Sequence, residues 1–406
     1  MRSLFRSLMG LTRIPQGITI VTAAFLPIFA IVSMFPAVPS IIDHFAADPD
    51  ARWKVPLMVS APGLTIAIIA PFAGFFVDRF GRRPLLIGAT FLYGLFGTAP
   101  FFMNDLNAIF VSRLLLGVSE AAILTIVNTL LGDYWEDSGR RNWLLLQGLA
   151  GPALASGVIL LSGAASAVRW NGIFLVYLIA FPICAAMIAF LYEPRRDGAT
   201  IVEIAREPEA STSFPWATVS MLGAVTLLAS ALYYVFIING GLAFREVGVA
   251  DSRRLSQLTA IPSLFVLLGS VIFRLTSSRT NATQIGIFLL LIGGGLTAIG
   301  VAADYRWMLA GLIVQQTGAG MAVPVLIAWA STKLTFEHRG RGMGVWTACF
   351  FFGQFSSPWI VHKLNDGFGT MQAAFAVMGT IGLIAAATAF VASRRAPAAP
   401  IPAAAV

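Results

Sequence analysis

The chain has 406 residues, of which 57% are hydrophobic and only 11% charged, with a net charge of +8. A soluble domain carries about 25% charge, and no soluble core could hide this much apolar side chain. The composition therefore excludes an ordinary soluble enzyme or nucleic-acid-binding domain and points to a chain dissolved in a bilayer.

A crossing helix needs about 20 apolar residues. In chain order, the apolar runs predict helices near 17–42, 55–77, 84–103, 106–132, 142–163, 170–192, 215–238, 257–276, 285–303, 307–333, 342–362 and 371–392. Arg2, Arg6 and Arg13 precede a first run of full length, and no small-residue cleavage site follows it. A cleaved signal peptide is not expected. The opening stretch is either a short amphipathic helix on the inner face or a frayed tail. Pro27, Pro36 and Pro39 predict a kink or break near the outer end of the first helix.

Twelve crossings place both termini on one side. The connections on that side hold most of the cations, among them Arg79, Arg82, Arg83, Arg140, Arg141, Arg195, Arg196, Arg339 and Arg341. The rule that cytoplasmic loops are enriched in Lys and Arg then predicts cytoplasmic termini and a cell inner membrane location. The same cations read as lipid-headgroup contacts, and no nucleic-acid partner is expected. The polar connection 193–213 divides the chain almost in half. The expected organisation is a six-helix bundle over 1–192, a cytoplasmic linker over 193–214, a second six-helix bundle over 215–393 and a disordered Ala/Pro-rich tail over 394–406.

After the second helix the chain reads Gly74-Phe-Phe-Val-Asp78-Arg79-Phe-Gly81-Arg82-Arg83. This matches in full the cytoplasmic loop motif G-x-x-x-D-R-x-G-R-R and resembles the major facilitator superfamily. The resemblance implies a major facilitator fold: an all-α membrane protein of twelve transmembrane helices in two bundles. It also implies a gate in which Asp78 docks near residues 342–344 at the start of the eleventh helix, a carboxylate facing a helix N-terminus. Arg79, Arg82 and Arg83 would anchor the loop, and Gly74 and Gly81 would allow close approach and a turn. Asp133, Glu136, Asp137, Arg140 and Arg141 are candidate partners for that loop. A degraded copy occurs in the second half, around Gly269, Arg274 and Arg279, without the Asp.

The fourth helix contains Arg113-Leu-Leu-Leu-Gly117-Val-Ser-Glu120-Ala121-Ala122. It resembles the R-x-x-Q-G motif of the superfamily's proton-coupled antiporters, with Leu116 in place of Gln and Glu120 in place of a small residue. The fifth helix contains Gly148-Leu-Ala-Gly151-Pro152-Ala-Leu-Ala-Ser-Gly157, similar to the antiporter Gly-Pro motif, with Ala155 and Ser156 replacing a frequent Gly pair. Gly151, Pro152 and Gly157 are the hinge candidates. The size and layout resemble the twelve-helix drug:proton antiporter group.

Arg113 and Glu120 are the leading transport residues. A charge at the bilayer centre costs about 2.5–3.5 kcal/mol on insertion scales, so it normally faces a wet cavity or a partner. Seven residues is nearly two helical turns, which puts both on one face roughly 10 Å apart along the axis. A carboxyl balanced between burial and a nearby cation can carry a proton, or it can be a structural group held by neighbouring hydroxyls. Gln315 and Gln354 sit mid-membrane in the tenth and eleventh helices, as substrate contacts or as interhelical glue. Tyr233 and Tyr234 read chiefly as an aromatic belt at the outer end of the seventh helix.

The leading functional expectation is proton-coupled efflux of small, partly hydrophobic organic compounds. Proton-coupled uptake of organic, aromatic acids is the alternative, with Arg113 holding the carboxylate. A non-transporting receptor or membrane enzyme on the same scaffold is a third. Cys184 and Cys349 lie inside apolar runs, and His44, His338 and His362 are scattered. No disulfide framework, metal or cofactor is expected, and a single chain should suffice as a monomer. The partners expected are substrate, proton and lipid.

Overall fold

The computed structural model describes residues 14–194, 213–335 and 337–395. Most of the expected linker and tail therefore lies outside the described residues, as do Arg2, Arg6 and Arg13. The described residues form helices and turns, with no strand among them. The crossing segments are α1 Pro15–Met34, α2 Ala51–Phe72, α3 Arg82–Phe102, α4 Leu106–Tyr134, α5 Asp137–Val168 and α6 Gly172–Phe190. The second half holds α7 Trp216–Glu246, α8 Ser252–Leu275, α9 Asn281–Gly300, α10 Tyr305–Lys333, α11 Arg339–Phe368 and α12 Met371–Arg395.

Eleven helices are long and apolar enough to cross a membrane. The remaining one, α11, has 30 residues, about 45 Å of helix. Its apolarity is lowered by Thr347, Gln354, Ser356, Ser357 and His362, and Gln354 and Ser357 are buried. One face of it is buried with Gln354 and Ser357, while Phe352 and Trp359 on another face are exposed.

Proline and local capping explain most of the boundaries. The first segment breaks twice, giving helices Pro15–Ala24, Leu26–Met34 and Val38–His44. Each begins with a proline in its first two positions, where the missing N–H is harmless. The break at Phe25, near mid-segment, adds to the one expected nearer Pro36. The α8 segment breaks at Leu264 and Phe265, just after Pro262. Asp105, Asp251, Thr280 and Asp304 accept hydrogen bonds from the first free backbone N–H groups of α4, α8, α9 and α10. Glu246, at the last turn of α7, accepts from Met371 N and Gln372 N at 2.7 and 2.9 Å and so caps α12.

In the second half, α9 lies flush against α12. A Cβ added to Gly293 would meet Leu383 N at 2.7 Å and Gly379 O at 2.8 Å, so the backbones touch. Without a hydrophobic drive between helices in lipid, such close packing is what holds a bundle together. The first half is laced by hydroxyls instead. Tyr93 Oη of α3 donates to Leu26 O at 2.6 Å, and Tyr177 Oη of α6 donates to Ala30 O at 3.1 Å.

Candidate functional site

Arg113 projects from α4 into the first half and is 1% exposed. Its Nη2 donates to Phe96 O at 3.0 Å and Gly97 O at 2.9 Å on α3. The guanidinium lies 5.1 Å from the Phe174 ring centroid and 4.9 Å from that of Tyr177, both on α6. Carbonyl dipoles and ring faces thus replace water around the cation. The expectation that Arg113 faces a wet cavity or a substrate carboxylate does not match this seat. The rings lie over it, and two of its three guanidinium nitrogens, Nε and Nη1, have no hydrogen-bond partner.

Glu120, seven residues on, is 3% exposed. Its Oε1 has no hydrogen-bond partner, and no ion pair joins it to Arg113 among the described residues. No hydroxyl bonds to its Oε1, and Ser119 Oγ is likewise without a partner. Glu120 is close enough for its charge to act on Tyr93 and Tyr177 in its own half and on Tyr234 in the other. It therefore sits toward the seam between the halves.

Tyr234 corrects the belt reading. It is 8% exposed and packs on Phe350 at 5.9 Å between ring centroids. The reason is the length of α7, which runs to Glu246. Twelve further residues put Tyr234 about 18 Å from that helix end, in mid-span. Trp346 stacks on Phe350 at 5.5 Å, and Tyr233 lies 4.7 Å from Tyr234. These four rings form an aromatic wall in the second half.

The two amides behave differently. Gln315 is 0% exposed, beside Gly295 of α9, and neither its Nε2 nor its Oε1 has a partner. The glue reading is not realised here. Gln354 is buried at the crossing of α11 and α2, where a Cβ on Gly63 would stand 3.1 Å from its amide carbon.

The halves meet chiefly along two helix pairs, with a further contact where Phe35 and Pro39 pack on Gly240 and Gly241 of α7. Between α2 and α11, Ser60 Oγ donates to Phe355 O at 3.3 Å. Between α5 and α8, Ser156 Oγ donates to Ala260 O at 2.6 Å. Ser156, a departure from the antiporter pattern, thus makes a bond across the seam. Gly151 of that pattern packs on Phe25, Pro152 is half-buried, and Gly157 has open space around it. In α4, Gly117 fits against α2, where a Cβ would meet Pro62 O at 2.6 Å. Arg245 on α7 pairs with Asp43 at 2.7 Å, the one ion pair joining the halves among the described residues.

At the opposite end, Gly74 and Asp78 fall on the short helix Ala73–Phe80, and their surroundings lie outside the described residues. Arg79 is exposed. Gly81 has φ 81°, the left-handed turn that glycine tolerates, and it separates that helix from α3. Arg82 pairs with Asp133 of α4. Glu193, just past α6, accepts from Arg82 N at 2.8 Å and Arg83 N at 2.7 Å, while Arg83 Nη2 donates to Ile188 O at 2.9 Å. A carboxylate thus caps the N-terminus of α3, a contact hidden from a sequence in which Glu193 reads as the start of a polar linker. The start of α11 lies beside the turn Ala70–Phe72, where a Cβ on Gly344 would stand 3.7 Å from Pro71 Cα. Glu193→Gln should lower stability by about 0.3–1 kcal/mol at low ionic strength. Thermal melts at low and high salt check it, the difference from the unsubstituted chain shrinking as salt rises.

A model of the Major Facilitator Superfamily matches residues 20–296 and 246–405. The chain belongs to that superfamily. It is a multi-pass membrane transporter, as its relatives and fold neighbours are. It is 23% identical to the class D tetracycline resistance protein of Salmonella ordonez, over 77% of this chain and 80% of that one. It is 24% identical to the 3-(3-hydroxy-phenyl)propionate transporter of Escherichia coli K12, over 86% of this chain and 84% of that one. Among solved structures, the nucleoside transporter NupG aligns with a TM-score of 0.73 at 10% identity, covering 92% of this chain and 99% of that one.

Proposed function

We propose that this transporter is a proton-coupled exporter of small, partly hydrophobic organic compounds. The observation that carries the reading is Glu120, a buried carboxylate with an unpartnered oxygen in the first half. A carboxyl held in that way gains and loses a proton as water reaches it from one side or the other. The ionisable pair, Glu120 and Arg113, belongs to the first half. Tyr234, Phe350, Trp346 and Gln354 in the second half offer an apolar face with a few polar atoms, suited to a flat organic molecule. The likeness, over 51% of this chain, to the efflux pump dotC of Dothistroma septosporum supports export.

Uptake of aromatic acids is the second reading, favoured by the likeness to the propionate transporter. The sealed seat of Arg113, which would have to hold the carboxylate, weighs against it. The test is accumulation in proteoliposomes under an imposed pH gradient, with a panel of tetracyclines, aromatic cations and aromatic acids. Export driven by protons moving the other way supports the proposal. Co-accumulation of acids with protons replaces it with the second reading.

In this reading the termini and the 193–214 linker are cytoplasmic, and the 1–192 and 215–393 bundles rock about the seam as one monomer. Asp78, Arg79, Arg82 and Arg83 form the cytoplasmic gate, with Gly74 and Gly81 as its close-contact and turn positions. Gly151, Pro152 and Gly157 are the hinge of α5. Single cysteines at Asp50 and Gly198 should react with impermeant thiol reagents from opposite faces of the membrane. Reaction from the same face would overturn this topology.

A further inference from the structure

An open groove of about 620 Å³ runs between α1 and α6. On α1 it extends from Pro15 to Thr22, and on α6 from Phe190 back to Ile179. Those spans are about 10 Å and about 16 Å of helix. One end lies at the start of α1 and the finish of α6, the level of a membrane boundary. The other reaches mid-span. Its walls are apolar apart from two threonines, and both hydroxyls are already used. Thr19 Oγ1 donates to Pro15 O at 2.7 Å, and Thr22 Oγ1 donates to Ile18 O at 2.9 Å. Small or stubby side chains, Ala186 and Pro182 among them, leave the space. Ile179 also borders a second, small cavity lined by Tyr93 and Tyr177.

We propose that this groove holds one phospholipid acyl chain. The bilayer supplies hydrocarbon at this position, and the two hydroxyls lining the groove already donate their protons to backbone carbonyls, leaving no side-chain donor for a polar ligand. It runs along the membrane normal from headgroup level inward, the path of an acyl chain. Empty, its lining would lose the dispersion contacts that close packing provides. The inner end of the chain abuts Ile179, across which lies Tyr177, the ring that covers Arg113. The bound lipid thus braces the seat of the buried cation from outside the protein.

The test uses the full chain in nanodiscs with a phosphatidylethanolamine carrying a photoactivatable diazirine near the end of one acyl chain. Crosslinks should concentrate on peptides holding residues 15–22 and 179–190. Ala186→Trp fills the groove and should reduce that labelling about tenfold, the effect of excluding roughly two buried methylenes. Leu161→Trp, on an exposed apolar position of α5, should leave it unchanged. Even labelling over all lipid-facing helices of the unsubstituted chain overturns the proposal, whether or not the variants fold. Displacement of the groove label by micromolar tetraphenylphosphonium, with other labelling constant, overturns it too, in favour of a portal for lipophilic solutes. Neither outcome depends on proton coupling or on the direction of transport.

Discussion

Glu120→Gln should abolish uphill transport driven by a pH gradient while leaving expression and folding intact. The amide has the size and hydrogen-bonding pattern of the protonated acid but cannot release a proton. Glu120 makes no ion pair among the described residues, and its Oε1 has no hydrogen-bond partner. The substitution therefore breaks no ion pair there and no bond at Oε1, and it removes the energetic cost of a buried charge. Stability should be unchanged or slightly raised, so a loss of transport cannot be put down to unfolding. Exchange of substrate between equal pools, which moves no net proton, should survive. The measurement is accumulation against pH for both forms. If Glu120→Gln keeps uphill transport with an unaltered pH profile, Glu120 does not carry the coupling proton, and Asp78 and Asp133 become the next acids to test.

Arg113→Ala should damage both stability and coupling. The guanidinium makes two charge-assisted bonds to α3 carbonyls and faces two rings of α6. Such bonds contribute about 1.5–3 kcal/mol each, and a desolvated cation–π contact up to about 2. Burying the cation costs roughly 2.5–3.5 kcal/mol on insertion scales, which the contacts exceed. Truncation should then lower stability by about 1–4 kcal/mol once the cavity beside Tyr177 is included. It also removes the nearest cation from Glu120, so the pH profile of transport should be displaced. Arg113→Lys keeps the charge but loses the planar guanidinium that lies over the Phe174 and Tyr177 rings. It should retain the pH profile and recover only part of the stability. An Arg113→Ala protein that melts like the parent and transports with the parent's pH profile would show that the cation is a passenger.

Much of this architecture is legible in the residues alone, because bilayer crossing imposes a length and an apolarity that few other constraints imitate. Arg113 and Glu120 stand out for the same reason, as charges inside apolar runs. Their surroundings do not. The groups that receive Arg113 are backbone carbonyls of Phe96 and Gly97 on another helix, and every residue has a carbonyl. Tyr93 and Tyr177 carry a weak signal: a tyrosine in mid-span needs a partner for its hydroxyl, and each finds a carbonyl of the first segment. Tyr234 was misplaced because α7 runs eight residues past its expected end, to Glu246, and depth in a membrane follows from helix ends. Glu193 looked like linker because capping of α3 is a contact across 111 positions of sequence. Gln315 has no hydrogen-bond partner at either end of its amide where an interhelical bond is one expectation; Gly295 of α9 packs against its backbone and Cβ, not against the amide.

Neighbouring residues at the end of α7 answer to different masters. Arg245 reaches across the seam to Asp43, while Glu246 stays at home on the N-terminus of α12. If the halves rock as proposed, the line of separation at this face runs between adjacent positions of one helical turn. The exposed bridge yields, with little energy to resist at physiological salt. The cap holds, because both of its partners move with it. The chain thus has a seam whose stitches are softer than the cloth on either side, and the place where it tears is written in two consecutive letters.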